Sequence, residues 1–510
     1  MSLSRNFFLF FYFGMIISFL TAAVAAEIGT KTETDYVDAR PSGYYSVEIL
    51  GSSVYGKYPN GTVIASGTAG TDDGEVIMGV VTNATAGSTI SFNGAFATDG
   101  PINITKSLNL YGYGSTASFL WNENGQHPLF KCYGANGATT NLTANTAPGA
   151  TSIAVDDVSG ISSSKIIIIY DNTIWNPWYT TYPSWKAGEI HTVTSVNGNT
   201  VNLGEPVITG YTTAQSAKCK IITPITTNFN GLYIYSTGNS TDQQYGISIQ
   251  YGKDATLSNM RIDKMGLESI STLDSINMTV TGNTISNSEN SGEGYGVVVG
   301  DASAFVTVQY NNITTCRHCI ATGGTGSIGQ PRNITYASNN LIGYTLGSGY
   351  PVDAHPEVVS LEITNNTISV PYAGGTDGGY GMGLGARYAY IHNNTVINGV
   401  KGWGMKGRPP IQNQTWIVQN NTFVNSTYGF YVAANATPSN AYGWDYIYFH
   451  DNIIKGNGTL LYINNPPSVL EMNSDMLIPS ILITNITGYY VPVQVKIPLV
   501  SDILPPKKYC

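Results

Sequence analysis

The residues best suited to chemistry sit in one run, Tyr350-Pro351-Val352-Asp353-Ala354-His355-Pro356-Glu357. It gathers a phenol, a histidine and two carboxylates in a chain of which only 11% is charged. A histidine titrates near neutral pH, and a neighbouring carboxylate can orient it for proton transfer. Cations follow at Arg387, Lys406 and Arg408, and another histidine precedes at His318. Together they suit abstraction of a proton beside a substrate carboxylate whose charge the cations neutralise. The same set also describes a solvated ion-pair cluster on a sheet surface, and both readings stand at this point. Cys316-x-x-Cys319 has no second cysteine pair at matching spacing, so a zinc site is not expected. No other metal or cofactor is expected.

What must position these residues is a repeat. Asparagine recurs at Asn259, Asn283, Asn312, Asn340, Asn366, Asn394, Asn421 and Asn452, in settings such as Asn-Asn-Ile-Thr and Asn-Asn-Thr-Val. Short β-rich runs precede each, and a second run follows in most repeats, as in Tyr295–Gly300, Tyr380–Arg387 and Tyr428–Asn435. No stretch shows helical periodicity. Such a unit cannot bury its apolar face alone, but stacked on its neighbour at ~4.8 Å it can, with parallel strands and a hydrogen-bonded asparagine ladder. Aligning the second runs places Val297/Val299, Cys319/Ala321, Val352/Ala354 and Met382/Leu384 toward a core. Asp353, His355 and Glu357 then face outward, Lys406 falls in the His355 column, and Arg387 and Arg408 fall in the Glu357 column. His318 lies one coil earlier.

With these repeats the sequence resembles the right-handed, pectate-lyase-like parallel β-helix superfamily, from about residue 40 to 465. The resemblance implies an all-β solenoid and a right-handed coil. Residues 1–26 read as a signal peptide or signal-anchor, 27–139 as the N-terminal cap and first coils, and 223–465 as the main coils. Residues 140–222 alternate with Asn-Gly and Gly-Asn turns and read as a small inserted β-module, as in tailspike-like relatives. Residues 466–510 form a tail. The run from Tyr350 also resembles the Tyr-x-x-Asp-x-His-Glu signature of mannuronan C5-epimerases, although Pro356 separates His355 from Glu357. That likeness implies His355 as proton-transfer base, Tyr350 as acid and Asp353 orienting the histidine; Arg387, Arg408 and Lys406 are candidates by column, not by motif, to hold a uronate carboxylate. Glu357 and His318 would line the substrate site.

Arg5, the apolar run Phe7–Leu20 and the small residues Thr21–Ala26 have the form of an export signal, so an extracellular or cell-surface location is expected. A membrane is involved only if that segment is retained. Cys132 and Cys219 bracket the module and are expected to bridge, with Cα atoms within ~7 Å. Trp175, Trp178 and Trp185 form an aromatic cluster that is a sugar-stacking loop, the module's own core or a cover for the β-helix. Sixteen Asn-x-Ser/Thr sequons are potential glycan acceptors, Asn312 excepted because it is expected to be buried. A net charge of −9 with 23 Lys+Arg argues against nucleic acid. The expected partner is an extracellular polysaccharide or surface glycan, and analogy with tailspikes implies a homotrimer. The alternative is a non-catalytic surface-layer, adhesin or tailspike-like protein.

Overall fold

The computed structural model describes residues 43–483 apart from 122–126, 176–184, 239–242, 324–327, 345–348, 356–357, 371–379, 400, 406–414, 433–445, 457–458, 464–468 and 473–480. Lys406, Arg408, Glu357, Trp178, Cys510 and the N-terminal export segment lie outside the described residues.

From Thr227 onward each full coil contributes three short strands, all pairing in parallel with the equivalents above and below. One coil supplies Thr307–Gln309, Asn312–Cys316 and His318–Thr322, and the next supplies Ile334–Ala337, Asn340–Gly343 and Val352–Ala354. The first two strands of every coil belong to one large sheet, and the third belongs to a 12-stranded sheet. The core is a continuous file of aliphatic and aromatic side chains, including Val308, Ile313, Ile320, Leu341, Val352 and Met382.

The corner between the first and second strands explains the asparagine repeat. Its first residue takes the left-handed conformation, with φ of 57° at Asn365, 58° at Asn393 and 55° at Asn420. Asparagine tolerates that region better than other residues with a Cβ. The second residue turns inward. Asn283, Asn311, Asn339, Asn366, Asn394, Asn421 and Asn452 are all at most 3% exposed. Each Oδ1 from Asn311 onward accepts both the backbone N–H and the Nδ2 of the asparagine one coil before, at 2.9–3.0 Å. Each Nδ2 also donates to a strand carbonyl, as Asn366 does to Tyr336. Three expected positions therefore move. Asn312 and Asn340 are one residue past the ladder, exposed, and bonded to each other at 2.8 Å. Asn259 is an exposed corner residue at φ 54°. In Asn-Asn pairs the corner and the ladder both favour asparagine, so position alone does not tell them apart.

A helix, Asp73–Asn83, was not expected. Val76, Ile77, Val80 and Val81 form its buried stripe, continuous with the core beside the N-terminal strands. Gly56 lets it approach, since a Cβ there would lie 2.3 Å from Val80. Asp73, fully buried, anchors its start by accepting N–H groups from Gly70 and Ala97. The apolar stripe at i, i+1, i+4, i+5 behind Asp72-Asp73 is the signal that marks it.

Residues 135–223 build an antiparallel six-stranded sheet. Its ends meet, since Ala135 pairs with Thr223. The expected disulfide does not form across them. Cys132 and Cys219 are free, buried thiols in separate cores, Cys132 in that of the coils and Cys219 in that of the module. Cys219 pairs with Thr140, well up the strand from the junction. Burial pushes its thiol up to about 12. Trp175 and Trp185 are both buried, Trp175 in the module's own core, so neither offers an exposed sugar platform.

The module lies along the side of the coils. Ile166, Ile168, Ile190 and Ile222 meet Ile276, Ala302 and Ala304 at successive turns. Gln330 donates to the Lys186 carbonyl and accepts from Gly188, and Arg332 donates to the Ile190 carbonyl. Arg332 is 1% exposed and lies 3.6 Å from Glu189. Glu189 also accepts N–H groups from Ile208 and Thr209 and the hydroxyl of Tyr211. Burial opposes its ionisation, but the hydrogen bond and charge of His191, the charge of Arg332 and the Thr209 amide outweigh it and hold the carboxyl down to about 2. His191 itself is pulled below its ordinary value by burial and by Arg332.

Candidate functional site

The expected chemical residues converge on the outer face of the 12-stranded sheet. Val352 and Ala354 belong to the core, so Asp353 between them is turned the other way. It pairs across the sheet with Ala321 on one side and Gly383 on the other. One coil earlier, Ile320 and Thr322 align with Val297 and Val299, where Cys319 and Ala321 were expected. The strand bends after Arg317, so Cys319 and Ile320 both turn into the core and His318 emerges on the outer face.

Asp353 Oδ2 lies 3.4 Å from His318 Nε2 and 3.3 Å from His355 Nε2. The carboxylate is 1% exposed, His318 is equally buried, and the His355 side chain is 22% exposed. His318 Nδ1 is 2.8 Å from the Tyr350 carbonyl oxygen and 3.1 Å from its amide. Its ring lies between Tyr295, stacked at 5.3 Å, and Tyr350 at 5.7 Å. Asp353 was expected in an open groove; instead it is covered. Gly383 shows how: a Cβ there would lie 2.7 Å from Tyr350, so the Tyr350 ring reaches over the next coil beside the Asp353 column. Gly323 leaves similar room at His355, where a Cβ would stand 3.2 Å from Nδ1.

Burial, then the nearby Asp353 charge, push the Tyr295 phenol up to about 12 against the opposing pull of Arg317, so it is neutral in use. Arg317 lies over the Tyr295 ring at 5.9 Å.

No protein-family model and no curated protein sequence matches the chain. Solved structures do. The tailspike gp61 of Pseudomonas phage phi297 is similar at 14% identity and a TM-score of 0.59, over 77% of this chain and 74% of that one. The gp54 tailspike of Acinetobacter baumannii bacteriophage AP22, solved in complex with A. baumannii capsular saccharide, is similar at 14% identity and a TM-score of 0.58, over 80% and 76%. The tailspike gp49 of Pseudomonas phage LKA1 gives 16% identity, a TM-score of 0.58, and 80% and 71%. The chain is a right-handed parallel β-helix.

On this β-helix the remaining expected residues separate. Arg387 sits at the turn stacked on Val358, one coil after His355, with its guanidinium 5.0 Å from the Tyr388 ring centre. His318 is too buried to line a substrate surface; its contacts are with Asp353 and the two tyrosines. Tyr295 and Arg317 were not singled out as site residues. The recurrent tyrosine at the start of the second run was the available signal. Above them in the same column is Glu268, paired between Tyr245 and Tyr295. Enclosure of its carboxyl pushes it up to about 7. Among the described residues no group of three or more His, Cys, Asp or Glu is arranged to hold a metal ion. No helix there is long and apolar enough to cross a membrane.

Proposed function

We propose that the chain acts on an extracellular acidic polysaccharide laid across the outer face of the 12-stranded sheet, and that it works by proton abstraction next to a uronate carboxylate. The observation that carries this reading is a single buried carboxylate, Asp353, held between the Nε2 atoms of His318 and His355. A buried carboxylate gains most by facing a charge that forms during reaction. His355, the exposed member, takes the proton from C5 of the uronate. Asp353 steadies the imidazolium that results. His318 is a positioning residue that fixes Asp353 from beneath, and Tyr295 and Tyr350 fix His318. Arg387, with Lys406 and Arg408, supplies positive charge for the substrate carboxylate. The Tyr350 hydroxyl is the acid: return of its proton to the opposite face of C5 gives epimerisation, and its transfer to the departing C4 oxygen gives β-elimination. Both begin with the same step. The similarity to tailspikes supports polysaccharide as the partner class and an extracellular or surface setting.

A second reading has its own observation. Asp353 and His318 are covered, which suits a rigid surface that binds glycans without turning them over. The test is incubation with a panel of uronate polymers in heavy water. Proton abstraction predicts deuterium at C5 where epimerisation follows, or ultraviolet-absorbing unsaturated ends where elimination follows. His355→Ala should abolish both while the melting temperature holds, because a partly exposed ring contributes little to stability. Binding by wild type with neither deuterium uptake nor unsaturated ends would decide for the non-catalytic reading.

A further inference from the structure

The corner that carries the left-handed residues also displays three Asn-x-Thr sequons, at Asn365, Asn393 and Asn420. In each the geometry is the same. The first asparagine is exposed, the middle residue is the buried ladder asparagine, and the threonine returns to the outer side of the next strand. Thr367, Thr395 and Thr422 stack in register on neighbouring coils. Acceptor amide and hydroxyl therefore stand together on the surface while the residue between them holds the fold.

The three acceptors are not equivalent. Asn393 Nδ2 donates to His392 Nδ1 at 3.0 Å. Among the described residues the side-chain amides of Asn365 and Asn420 enter no hydrogen bond. At several other described sequons the amide nitrogen is engaged, as Asn141 is by Asp156, Asn277 by Asp254 and Asn83 by the Gly79 carbonyl, whereas Asn60, Asn312 and Asn333 are held only through Oδ1. Adjacent coils are ~4.8 Å apart, too close for branched glycans side by side, whereas Asn365 and Asn420 are two coils, or ~10 Å, apart.

We propose that Asn365 and Asn420 carry N-linked oligosaccharides, with Asn393 bare between them. The donor is an oligosaccharide on a lipid diphosphate. The amide nitrogen attacks the anomeric carbon, a C–N bond forms, the C–O bond to the diphosphate breaks, and the amide proton passes to a base of the transferase. Nothing is oxidised or reduced. The glycans would rise from the large sheet, not from the 12-stranded sheet that carries Asp353 and His355, and so are compatible with polymer lying across the latter.

The test uses the full chain with its own N-terminal segment, expressed in cultured mammalian cells and collected from the medium. Glycosidase release in heavy-oxygen water marks each formerly glycosylated asparagine as a labelled aspartate by peptide mass spectrometry. The expected result is label at Asn365 and Asn420 and none at Asn393. Asn365→Gln and Asn420→Gln should each remove one glycan from the intact mass, and Asn393→Gln should remove none. The wild-type map stands even if a variant is not secreted. Unlabelled Asn365 and Asn420, label at Asn393 with its neighbours bare, or failure of the wild-type chain to reach the medium would each overturn the proposal.

Discussion

Two buried polar systems hold this molecule together, and they solve the same problem in opposite ways. The asparagine ladder buries neutral amides, each satisfied by a copy of itself one coil away. The junction between module and coils buries charge: Glu189 and Arg332, with His191 against both, drawn from segments about 140 residues apart. Translation along an axis lets one residue type supply both donor and acceptor indefinitely. A single contact between unlike surfaces has no such repeat, so its polar groups need individually placed partners. The cost of burying them falls steeply only when every partner is present.

The sharpest way to break this contrast is to remove one charge. Arg332→Met should leave Glu189 buried without its cation and cost roughly 3–5 kcal/mol, read by denaturant unfolding. Adding Glu189→Gln should recover most of that loss, because the penalty belongs to the orphaned charge. No recovery would mean that Arg332 acts through shape. In the ladder, Asn366→Ala should cost about 3 kcal/mol by leaving the buried Asn339 backbone N–H without an acceptor and by taking one of two partners from both Asn339 Nδ2 and Asn394 Oδ1. An effect near zero would remove the ladder's claim to stability.

Acid should discriminate next. The Glu189 carboxyl is held below its ordinary 4.5, so its contribution is complete above that pH and is lost as pH falls toward 2. His191 is likewise depressed, so its share fades as pH drops below 6.5. The neutral ladder has nothing to titrate, and thermal melts from pH 7 to 3 on wild type and the Arg332→Met/Glu189→Gln variant should diverge accordingly. Glu268 runs the other way. Its raised carboxyl contributes fully below 4.5 and loses that contribution as pH rises through about 7. Glu268→Gln should therefore gain stability over wild type on the alkaline side, on the order of 1 kcal/mol. The smallest effect is the control: Asn340→Ala, exposed and off the ladder, should stay within about 0.5 kcal/mol.

These residues also show what a sequence can disclose. The coil period, the parallel stacking and the convergence of Asp353 with His355 are local or periodic, and could be read from spacing. Errors arose where period and identity decoupled. Asn312 and Asn340 follow true ladder residues and share their type. Cys319 does reach the core, but Ala321 was misplaced there, because Ile320 and Thr322 hold the columns of Val297 and Val299. Cys132 and Cys219 bracket an insertion whose ends do meet, but each thiol belongs to a different core. Nothing local marks Arg332 as the partner of Glu189, since that contact exists only once the module has settled on the coils.

The meeting of Ala135 with Thr223 has a consequence for how such a molecule can be rebuilt. The strand Pro128–Tyr133 pairs directly with Tyr245–Gln250, so the solenoid's hydrogen bonding passes the insertion by. The module is thus a cassette plugged into one corner, and another domain with adjacent termini could be spliced there without changing the pitch of the coils. What resists the exchange is not the plug but the socket: Gln330 and Arg332 would be stranded on the flank, and any transplanted domain would have to bring its own acceptors for them or require their replacement by apolar residues.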